Sequence, residues 1–388
     1  MGVAIVGWAH GRFGRLEGET LESLIQGVAR EALDHAGIGA DEVGEVVLGH
    51  FNAGFSQQDF TASLVLGADE RLRFVPATRV ENACATGSAA VRAGARAIKA
   101  GQARFVLVVG AEVMSGVPGR EVGQNLLRAS YLPEDGGVEG GFAGVFGQVA
   151  ESYFQRHGDQ SDALARIAAK NHRNGAKNPL AQIQKDLGFA FCRAESAKNP
   201  RVAGPLKRTD CSPVSDGAAA LVLTDTGTAL GMSRAVALRA QAHVQDVLPR
   251  GARDVLLMEG CELAWKQALA AAGVGLGNLS FVETHDCFTI AELLEYEAMG
   301  LAPRGEGGRA ALEGWTEMGG MLPVNPSGGL KAKGHPIGAT GVSMHVVSAM
   351  QLVGEAGETQ VPGATLAGVF NMGGVGVANY VSVLDRVR

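Results

Sequence analysis

The sequence predicts an α/β protein made of two similar halves, each a duplicate of one domain. Three observations lead to this prediction. Short apolar runs alternate with segments whose apolar residues recur at helical spacing, the second half repeats the order of the first, and a long polar stretch interrupts only the first half. With 388 residues, 46% of them hydrophobic and 19% charged, the chain is large enough to bury more than one core.

The first half opens with the apolar run VAIVG, typical of a buried strand, and continues with a helix that Thr20 can cap and Gly37 can end. The apolar residues that share one face of this helix are Leu21, Leu24, Ile25 and Val28. Two further strands, VGEVVLGH and RFVLVVGAE, enclose a helix of small residues that starts at Cys84 and closes at Gly101. A strand over 216–225 completes the half.

The second half repeats this order. Its first strand is AVALRAQAHV and its first helix is DVLLMEGCELAWKQALAAAGV. The strand LSFVETHD then matches VGEVVLGH, the helix HPIGATGVSMHVVSAMQL matches the helix that starts at Cys84, and the strand TLAGVFN matches RFVLVVG. Because strands and helices alternate in both halves, we expect mostly parallel sheets covered by helices.

The predicted domains are a first half formed by residues 1–113 and 209–228, an inserted domain of helices and loops over 114–208, and a second half over 229–388. Charge is unevenly distributed among them. The stretch 156–208 contains eleven Lys and Arg against four Asp and Glu, a net +7, so with an overall charge of −6 the remainder carries −13. The overall charge disfavours nucleic acid as a partner, whereas the basic stretch favours a ligand with several phosphates.

The five cysteines show no CxxC spacing, which disfavours a disulfide framework or a zinc ribbon and predicts a reducing, cytoplasmic compartment and no metal site. The first residues lack the basic region and long apolar core of a signal peptide. The uncharged run over 359–384 is long enough to cross a bilayer, but its proline and five glycines favour two strands joined by a turn. We therefore expect no membrane span.

The duplication predicts where chemistry takes place. If the halves pack with approximate two-fold symmetry, the N-termini of the two small-residue helices meet near the middle, with Cys84 at one and His335 at the other. A helix N-terminus has free N–H groups and partial positive charge, which lower the pKa of a nearby thiol. We therefore expect Cys84 to be a nucleophile that the helix stabilises as the thiolate.

Four stretches contain the candidate chemistry: ENACATGSAA, ETHDCFTIAELLEYE, NPSGGLKAKGHPIGATG and FNMGGVGVA. Together they resemble the thiolase family over nearly the whole chain, and SDGAAALVL and NHRNGAKNP are similar to further stretches of that family. The chain departs from the commonest thiolase pattern at Asn371, where that pattern has a cysteine. The element HDCF over 285–288 resembles the sterol-carrier-protein type of thiolase, in which the cysteine of HDCF is thought to replace the missing one.

The resemblance implies a thiolase-like fold with helix–sheet–helix–sheet–helix layers, and a role for each matched residue. Cys84 would attack an acyl-CoA thioester after His335 takes its proton. Cys287 would remove or return an α-proton of a second acyl-CoA, while His285 and His335 donate hydrogen bonds to the enolate oxygen. The backbone N–H groups of Cys84 and Gly373 would form a second oxyanion hole.

The resemblance also implies how substrates and partners bind. Ser212 matches a serine that touches the pantetheine arm of CoA in relatives, so coenzyme A and acyl-CoA are expected as substrates, with no permanently bound cofactor. Relatives form homodimers through sheet edges, or tetramers, and some act in lipid metabolism with a small OB-fold partner protein. Acyl-chain length and the direction of the reaction stay open.

Three alternatives also stay open. One is a ketoacyl synthase-like condensing enzyme, which would require a malonyl donor and no second thiol. Another is a retro-aldol enzyme that acts on a sterol side chain. The last is a non-catalytic thiolase-like scaffold that works with an OB-fold partner.

Overall fold

The computed structural model describes residues 2–387, so residues 1 and 388, at the outer ends of the predicted first and last domains, lie outside the described part. The strands are β1 (Val3–His10), β2 (Val43–Gly49), β3 (Ala77–Val80), β4 (Phe105–Glu112), β5 (Arg201–Ala203), β6 (Leu206–Lys207), β7 (Gly217–Asp225), β8 (Val236–Gln245), β9 (Phe281–Glu283), β10 (Leu366–Gly373) and β11 (Ala378–Arg386).

The helices are α1 (Leu21–Ala36), α2 (Thr61–Leu64), α3 (Thr86–Lys99), α4 (Gly119–Leu127), α5 (Leu132–Asp135), α6 (Phe142–His157), α7 (Ser161–Gly175), α8 (Gly188–Arg193), α9 (Thr226–Ala229), α10 (Glu259–Ala272), α11 (Thr289–Ala298), α12 (Gly307–Leu312), α13 (Gly329–Lys333) and α14 (Ile337–Val353). The segment between β4 and β7 contains α4 to α8 and the two-stranded sheet β5–β6. The domain boundaries placed around this segment stay a prediction.

Nine strands form one sheet in the order β3-β2-β4-β7-β1-β8-β11-β10-β9. The two halves join where β1 pairs with β8 over Ala4–Ala237 and Ile5–Val236. The expectation of mostly parallel sheets is wrong: β2 pairs in parallel with β3 and β4, and β9 with β10, but the other pairs are antiparallel. The reason is that β10 returns directly into β11 through a short glycine turn, which joins only antiparallel neighbours, and β7 takes the matching place beside β4.

The predicted duplication is confirmed by the order of elements. Along the chain, the first half contains β1, α1, β2, α3, β4 and β7 in this order, and the second half contains β8, α10, β9, α14, β10 and β11. The strands of the two halves also have matching positions in the sheet, with β1 and β8 at the junction and β2 and β9 toward the two edges. Helix α1 packs on β1, β4 and β7, and α10 packs on β8 and β11. The helices α3 and α14 pack on each other, α3 contacts strands of the first half, and α14 contacts strands of both halves. They form the inner helix layer, and the two halves of the one sheet supply both sheet layers of the helix–sheet–helix–sheet–helix arrangement.

Small residues allow the two central helices to touch through their backbones. A Cβ atom added to Gly87 would lie 2.6 Å from the Gly341 nitrogen, and one added to Gly341 would lie 2.1 Å from the Ser88 nitrogen. Both distances are far shorter than any van der Waals contact, so glycine is required at this crossing. The crossing brings the N-terminal ends of α3 and α14 together.

Local signals predicted the helix ends well in some places and less well in others. Helix α1 begins after Thr20, whose side chain accepts the Ser23 N–H, and ends at Gly37 with φ of 69°. Helix α3 begins at Thr86, so Cys84 lies in the turn before the helix and not in its first turn. Helix α10 begins only at Glu259, because the preceding Met258 has a left-handed backbone with φ of 46°.

Within residues 2–387, no helix is both long enough and apolar enough to cross a membrane. The uncharged run over 359–384 forms β10, the glycine turn and β11, as predicted.

Candidate active site

Cys84 lies in a tight turn between β3 and α3, and only 3% of its surface is exposed. The preceding Ala83 has φ of 49°, in the left-handed region that most residues avoid. The turn is held by the Thr86 N–H, which donates to the Ala83 carbonyl at 3.0 Å, and by the Asn82 N–H, which donates to the Thr86 hydroxyl at 2.8 Å. These bonds fix the thiol in front of the helix.

Burial raises the pKa of the Cys84 thiol to about 12. The backbone N–H of Gly374 donates a hydrogen bond to Cys84 and lowers this pKa, but by less than the loss of solvent raises it. The expectation of a thiolate stabilised by the helix is therefore wrong: α3 starts beyond Cys84, and desolvation outweighs the nearby N–H groups. At neutral pH Cys84 is a thiol and needs a base to react.

His335 precedes α14 as Cys84 precedes α3, in both cases by two residues. Its Nδ1 lies 2.7 Å from the hydroxyl of Thr340, and that hydroxyl donates to the Pro336 carbonyl at 3.0 Å. The hydroxyl therefore accepts the Nδ1 proton, which leaves Nε2 with a free lone pair. Because burial lowers the pKa of His335 to about 3, the ring is neutral and can act as a base.

His285 follows β9, and its ring has the opposite tautomer. The side-chain amide of Asn371 donates through Nδ2 to the Cys84 carbonyl at 3.1 Å, and the same Nδ2 lies 2.9 Å from His285 Nδ1. Nδ1 is thus the acceptor, and the proton is on Nε2. His285 Nε2 is buried without a hydrogen-bond partner among the described residues, so its N–H is available to a substrate oxygen.

The two imidazoles and the thiol converge. The rings of His285 and His335 meet edge to face, with centroids 5.1 Å apart. The Cys84 sulfur and one ring nitrogen of each histidine all lie within 4.8 Å of one another. One thiolate and two imidazoles are also ordinary zinc ligands. However, acyl transfer gives each of these atoms a role without a metal, and the prediction that no metal is bound stays a prediction.

Cys287 lines the same cavity as Cys84 and His335, so the two thiols predicted to cooperate face one space. Burial, followed by the charge of Cys84, raises the pKa of Cys287 well above its ordinary value. Its carbonyl accepts the Ser212 N–H at 2.9 Å, and the neighbouring Phe288 stacks on Phe146 with centroids 4.4 Å apart. Backbone and ring packing therefore fix the position of this thiol.

Gly373 ends β10 against the turn that contains Cys84. A Cβ atom at Gly373 would lie 2.5 Å from the Asn82 carbonyl oxygen, so only glycine allows this approach. The N–H that donates to Cys84 belongs to the next residue, Gly374. The role predicted for the Gly373 N–H stays a prediction.

Side chains that the sequence analysis did not select support these groups. Glu295 accepts the His285 N–H at 3.0 Å and a hydroxyl from Thr284, which fixes the backbone that leads into the HDCF element. Asp286, within that element, accepts the N–H groups of Leu330 and Lys331 and so caps α13. The sequence offered one signal for Glu295, an acidic residue among the apolar residues of the helix after HDCF.

Two cavities meet at Ser212. The first has a volume of about 330 Å³ and is lined by Cys84, Cys287 and His335, among others. The second, of about 550 Å³, includes the cations Lys198, Arg208 and Lys331 together with His172. Both are lined by Val202 and by the loop Cys211, Ser212, Pro213 and Val214. Ser212 thus lies between the reactive groups and a cationic space.

A buried thiol, a neutral imidazole that can take its proton and a second imidazole that can donate to oxygen define a nucleophilic-cysteine site between duplicated domains. The chain matches the family model "Thiolase, N-terminal domain" over residues 3–227 and "Thiolase C-terminal domain-like" over 242–386. It belongs to the thiolase family. The resemblance stated from the motifs is thereby confirmed.

Two kinds of relatives are similar to this chain. The acetyl-CoA acetyltransferase of Methanothermobacter thermautotrophicus is 34% identical over 390 residues, which cover 99% of each chain. Sterol carrier protein 2 of Homo sapiens is 34% identical over 77% of this chain and 56% of its own length. The solved structure described as "Ltp2-ChsH2(DUF35) aldolase" superposes with a TM-score of 0.85 and 21% identity, over 100% of this chain and 98% of that one, which shows the shared fold.

Proposed function

We propose that the protein is a CoA-dependent acyltransferase of the thiolase type, which makes or cleaves a β-ketoacyl-CoA through an acyl–enzyme on Cys84. The observation that supports this most strongly is the convergence, within 4.8 Å, of the Cys84 sulfur with ring nitrogens of His285 and His335. Similarity to two acetyl-CoA acetyltransferases, over 99% and 88% of this chain, supports the same activity.

In the first step His335 Nε2 takes the proton of Cys84, and the sulfur attacks the carbonyl carbon of an acyl-CoA. The negative oxygen that develops is stabilised by backbone N–H groups of the Cys84 turn and the glycine turn, for which we propose Cys84 and Gly373. The carbon–sulfur bond to CoA then breaks. The leaving CoA thiolate takes the proton of Cys287, which becomes the thiolate needed for the second step.

In the second step Cys287 removes an α-proton from a second acyl-CoA. The enolate oxygen accepts hydrogen bonds from the Nε2–H of His285 and from His335, which is a donor once it holds the Cys84 proton. The enolate carbon attacks the acyl group on Cys84, the carbon–sulfur bond breaks, and the Cys84 thiolate recovers its proton from His335. Cleavage of a β-ketoacyl-CoA follows the same steps in reverse.

We propose that coenzyme A lies across the junction of the two cavities. Lys198 and Arg208 in the larger cavity provide positive charge for its phosphates, and Ser212 lies where the pantetheine arm would pass toward Cys84. No Lys or Arg is among the described residues that line the cavity of Cys84. This favours a donor without a carboxylate over the malonyl donor of a ketoacyl synthase.

Steady-state kinetics with acetoacetyl-CoA and CoA tests this function. We expect Cys84→Ala and Cys287→Ala each to lower kcat by about a thousandfold or more, since each removes a group that forms or breaks a bond. Cys261→Ala is the matched control, because Cys261 is equally buried and lies on α10 outside both cavities. Full activity of Cys287→Ala, together with a strict need for malonyl-CoA, would instead establish a ketoacyl synthase.

We further propose a cytoplasmic homodimer, or a tetramer of such chains, that acts in lipid metabolism. All five cysteines are free, which is typical of proteins in a reducing compartment. Strand β3 is one of the two outer strands of the sheet, and none of its residues is fully buried, so it offers an edge to a second copy. A small OB-fold protein is proposed as a partner as well. Light scattering of the purified protein tests the homodimer or tetramer, and light scattering of the co-purified complex tests the assembly with the partner.

A further inference from the structure

The cavity around Cys84 continues beyond the reactive side chains into an apolar space. Besides the site residues, its wall is formed by α4, by the loop before α6 and by the start of α6. The residues of these elements in the wall are Gly119, Val122, Gly123, Leu126, Gly140, Phe142 and Ala143, and Met114 and Phe288 complete it from neighbouring loops. No acidic or basic side chain is among the described residues of this wall, so the space is chemically suited to hydrocarbon.

The volume of this cavity exceeds what an acetyl group requires. An engineered apolar cavity of about 150 Å³ in another protein is large enough to bind benzene. The cavity at Cys84, at about 330 Å³, has more than twice that volume. One wall, the loop around Ser212, is shared with the cationic cavity and so faces the incoming CoA arm. The wall along α4 is not shared with the cationic cavity among the described residues, so it is available to the acyl chain.

Two glycines keep the α4 wall open. Gly119 and Gly123 are one helical turn apart and line the same cavity, Gly119 at an exposed rim and Gly123 half-buried. A Cβ atom at either position would meet no atom within 4 Å, and neither residue has a left-handed backbone. Neither turn geometry nor close packing therefore requires glycine, although glycine is less favourable than alanine inside a helix. What the glycines provide is space in the cavity.

We propose that this apolar space binds the acyl chain of a β-ketoacyl-CoA longer than acetoacetyl-CoA, and that Gly123, with Gly119 at the rim, determines the chain length accepted. The proposal rests on the proposed function, because it assigns the substrate class of the same site. The reactive end of the chain is fixed by Cys84 and by the unpartnered His285 Nε2–H. From there an aliphatic chain can extend toward Val122 and Phe142 without meeting a charge.

The test compares CoA-dependent cleavage of acetoacetyl-CoA with that of a straight-chain, eight-carbon β-ketoacyl-CoA, using the full-length protein. We expect the wild type to cleave the longer substrate with a kcat/KM at least equal to that for acetoacetyl-CoA. Gly123→Leu places a branched side chain in the cavity, so we expect the ratio of kcat/KM for the longer substrate to kcat/KM for acetoacetyl-CoA to fall by about tenfold or more. Gly123→Ala should give a smaller loss in the same direction.

Gly27→Leu is the matched control, since Gly27 is also half-buried, helical and without any atom within 4 Å of an added Cβ, but lies on α1 away from the cavity. It should leave the ratio of the two substrates unchanged. A wild type that cleaves only acetoacetyl-CoA, or Gly123 variants that lose both substrates equally, overturns the inference and leaves the proposed function intact. If neither substrate is cleaved and neither acylates Cys84, the proposed function itself fails.

Discussion

Asn371 Nδ2 lies 3.1 Å from the Cys84 carbonyl oxygen and 2.9 Å from Nδ1 of His285, so one amide joins the nucleophile's backbone to the second imidazole. This amide occupies the place where the commonest thiolase pattern has a catalytic cysteine. The Cys84 carbonyl can only accept, which fixes the amide with its NH₂ group toward both partners. The amide thereby holds the His285 proton on Nε2, facing the substrate.

Asn371 is a positioning residue, and Asn371→Asp should no longer hold the His285 proton on Nε2. An aspartate accepts from Nδ1–H, so the Nε2–H donor is lost from the neutral ring, and we expect kcat to fall by about a hundredfold to a thousandfold, as when one oxyanion donor is removed. Nitrogen-15 NMR of the His285 side chain reports the tautomer directly. Asn199→Asp, at a buried amide that donates only to backbone carbonyls, is the control. Unchanged turnover with Nε2 still protonated would contradict the assignment.

The reactivity of Cys84 toward an uncharged alkylating agent should follow its raised pKa. Because burial raises the pKa of Cys84 to about 12, the thiolate fraction is small at neutral pH and grows with each pH unit. We expect the rate of iodoacetamide labelling at this residue to rise continuously between about pH 7 and about pH 10, measured by peptide mass spectrometry. A plateau below about pH 8 would show a preformed thiolate instead.

Stability should decline in acid, because several buried histidines are neutral in the folded protein. Burial lowers the pKa of His10, His172 and His335 to about 3, that of His345 to about 4, and that of His285 well below its ordinary value. These groups bind protons in the unfolded state below about pH 6.5 but not in the folded state, so unfolding is favoured as pH falls from there toward about pH 4. Asp286 and Glu295, whose pKa values burial raises, oppose this trend.

The net effect of these groups on stability is measured by the midpoint of urea unfolding at about pH 7 and at about pH 5. We expect a lower urea midpoint at about pH 5. Each uncompensated proton contributes about 1.4 kcal/mol per pH unit. His172→Leu should weaken this pH dependence, since neither ring nitrogen of His172 has a hydrogen-bond partner within residues 2–387. An identical pH dependence in this variant would count against the explanation.

Gly87→Ala should destabilise the protein by forcing α3 and α14 apart at their crossing. The added carbon would lie 2.6 Å from the Gly341 nitrogen, and overpacking of this kind costs about 1–3 kcal/mol. Gly27→Ala, where the added carbon meets no atom within 4 Å, should be neutral or stabilising by up to about 1 kcal/mol. Urea unfolding of both variants measures the difference, and equal midpoints would refute the backbone contact.

Much of the fold could be predicted from local sequence signals. Thr20 and Gly37 mark the ends of α1 because capping depends only on neighbouring residues, and repeated periodicities revealed the duplication. Strand direction was predicted wrongly because the alternation of strands and helices was extended to every strand, whereas β10 and β11 are joined by a short turn that makes them antiparallel. The short, half-exposed β3 had no clear apolar pattern. In the site, the sequence indicated the thiols and imidazoles but showed at Asn371 only a missing cysteine. Asn371 contacts His285, which is 86 positions away in the sequence, and Cys84, which is 287 positions away, so these contacts exist only in the folded chain.

The central claim, that Cys84 forms the acyl–enzyme and Cys287 acts afterwards, is tested most directly by intact-protein mass spectrometry after incubation with acetyl-CoA. The account predicts one acetyl group on the wild type, one on Cys287→Ala even though its kcat falls by about a thousandfold or more, and none on Cys84→Ala. Acetylation that persists in Cys84→Ala, at a site inside the cavity, would contradict it.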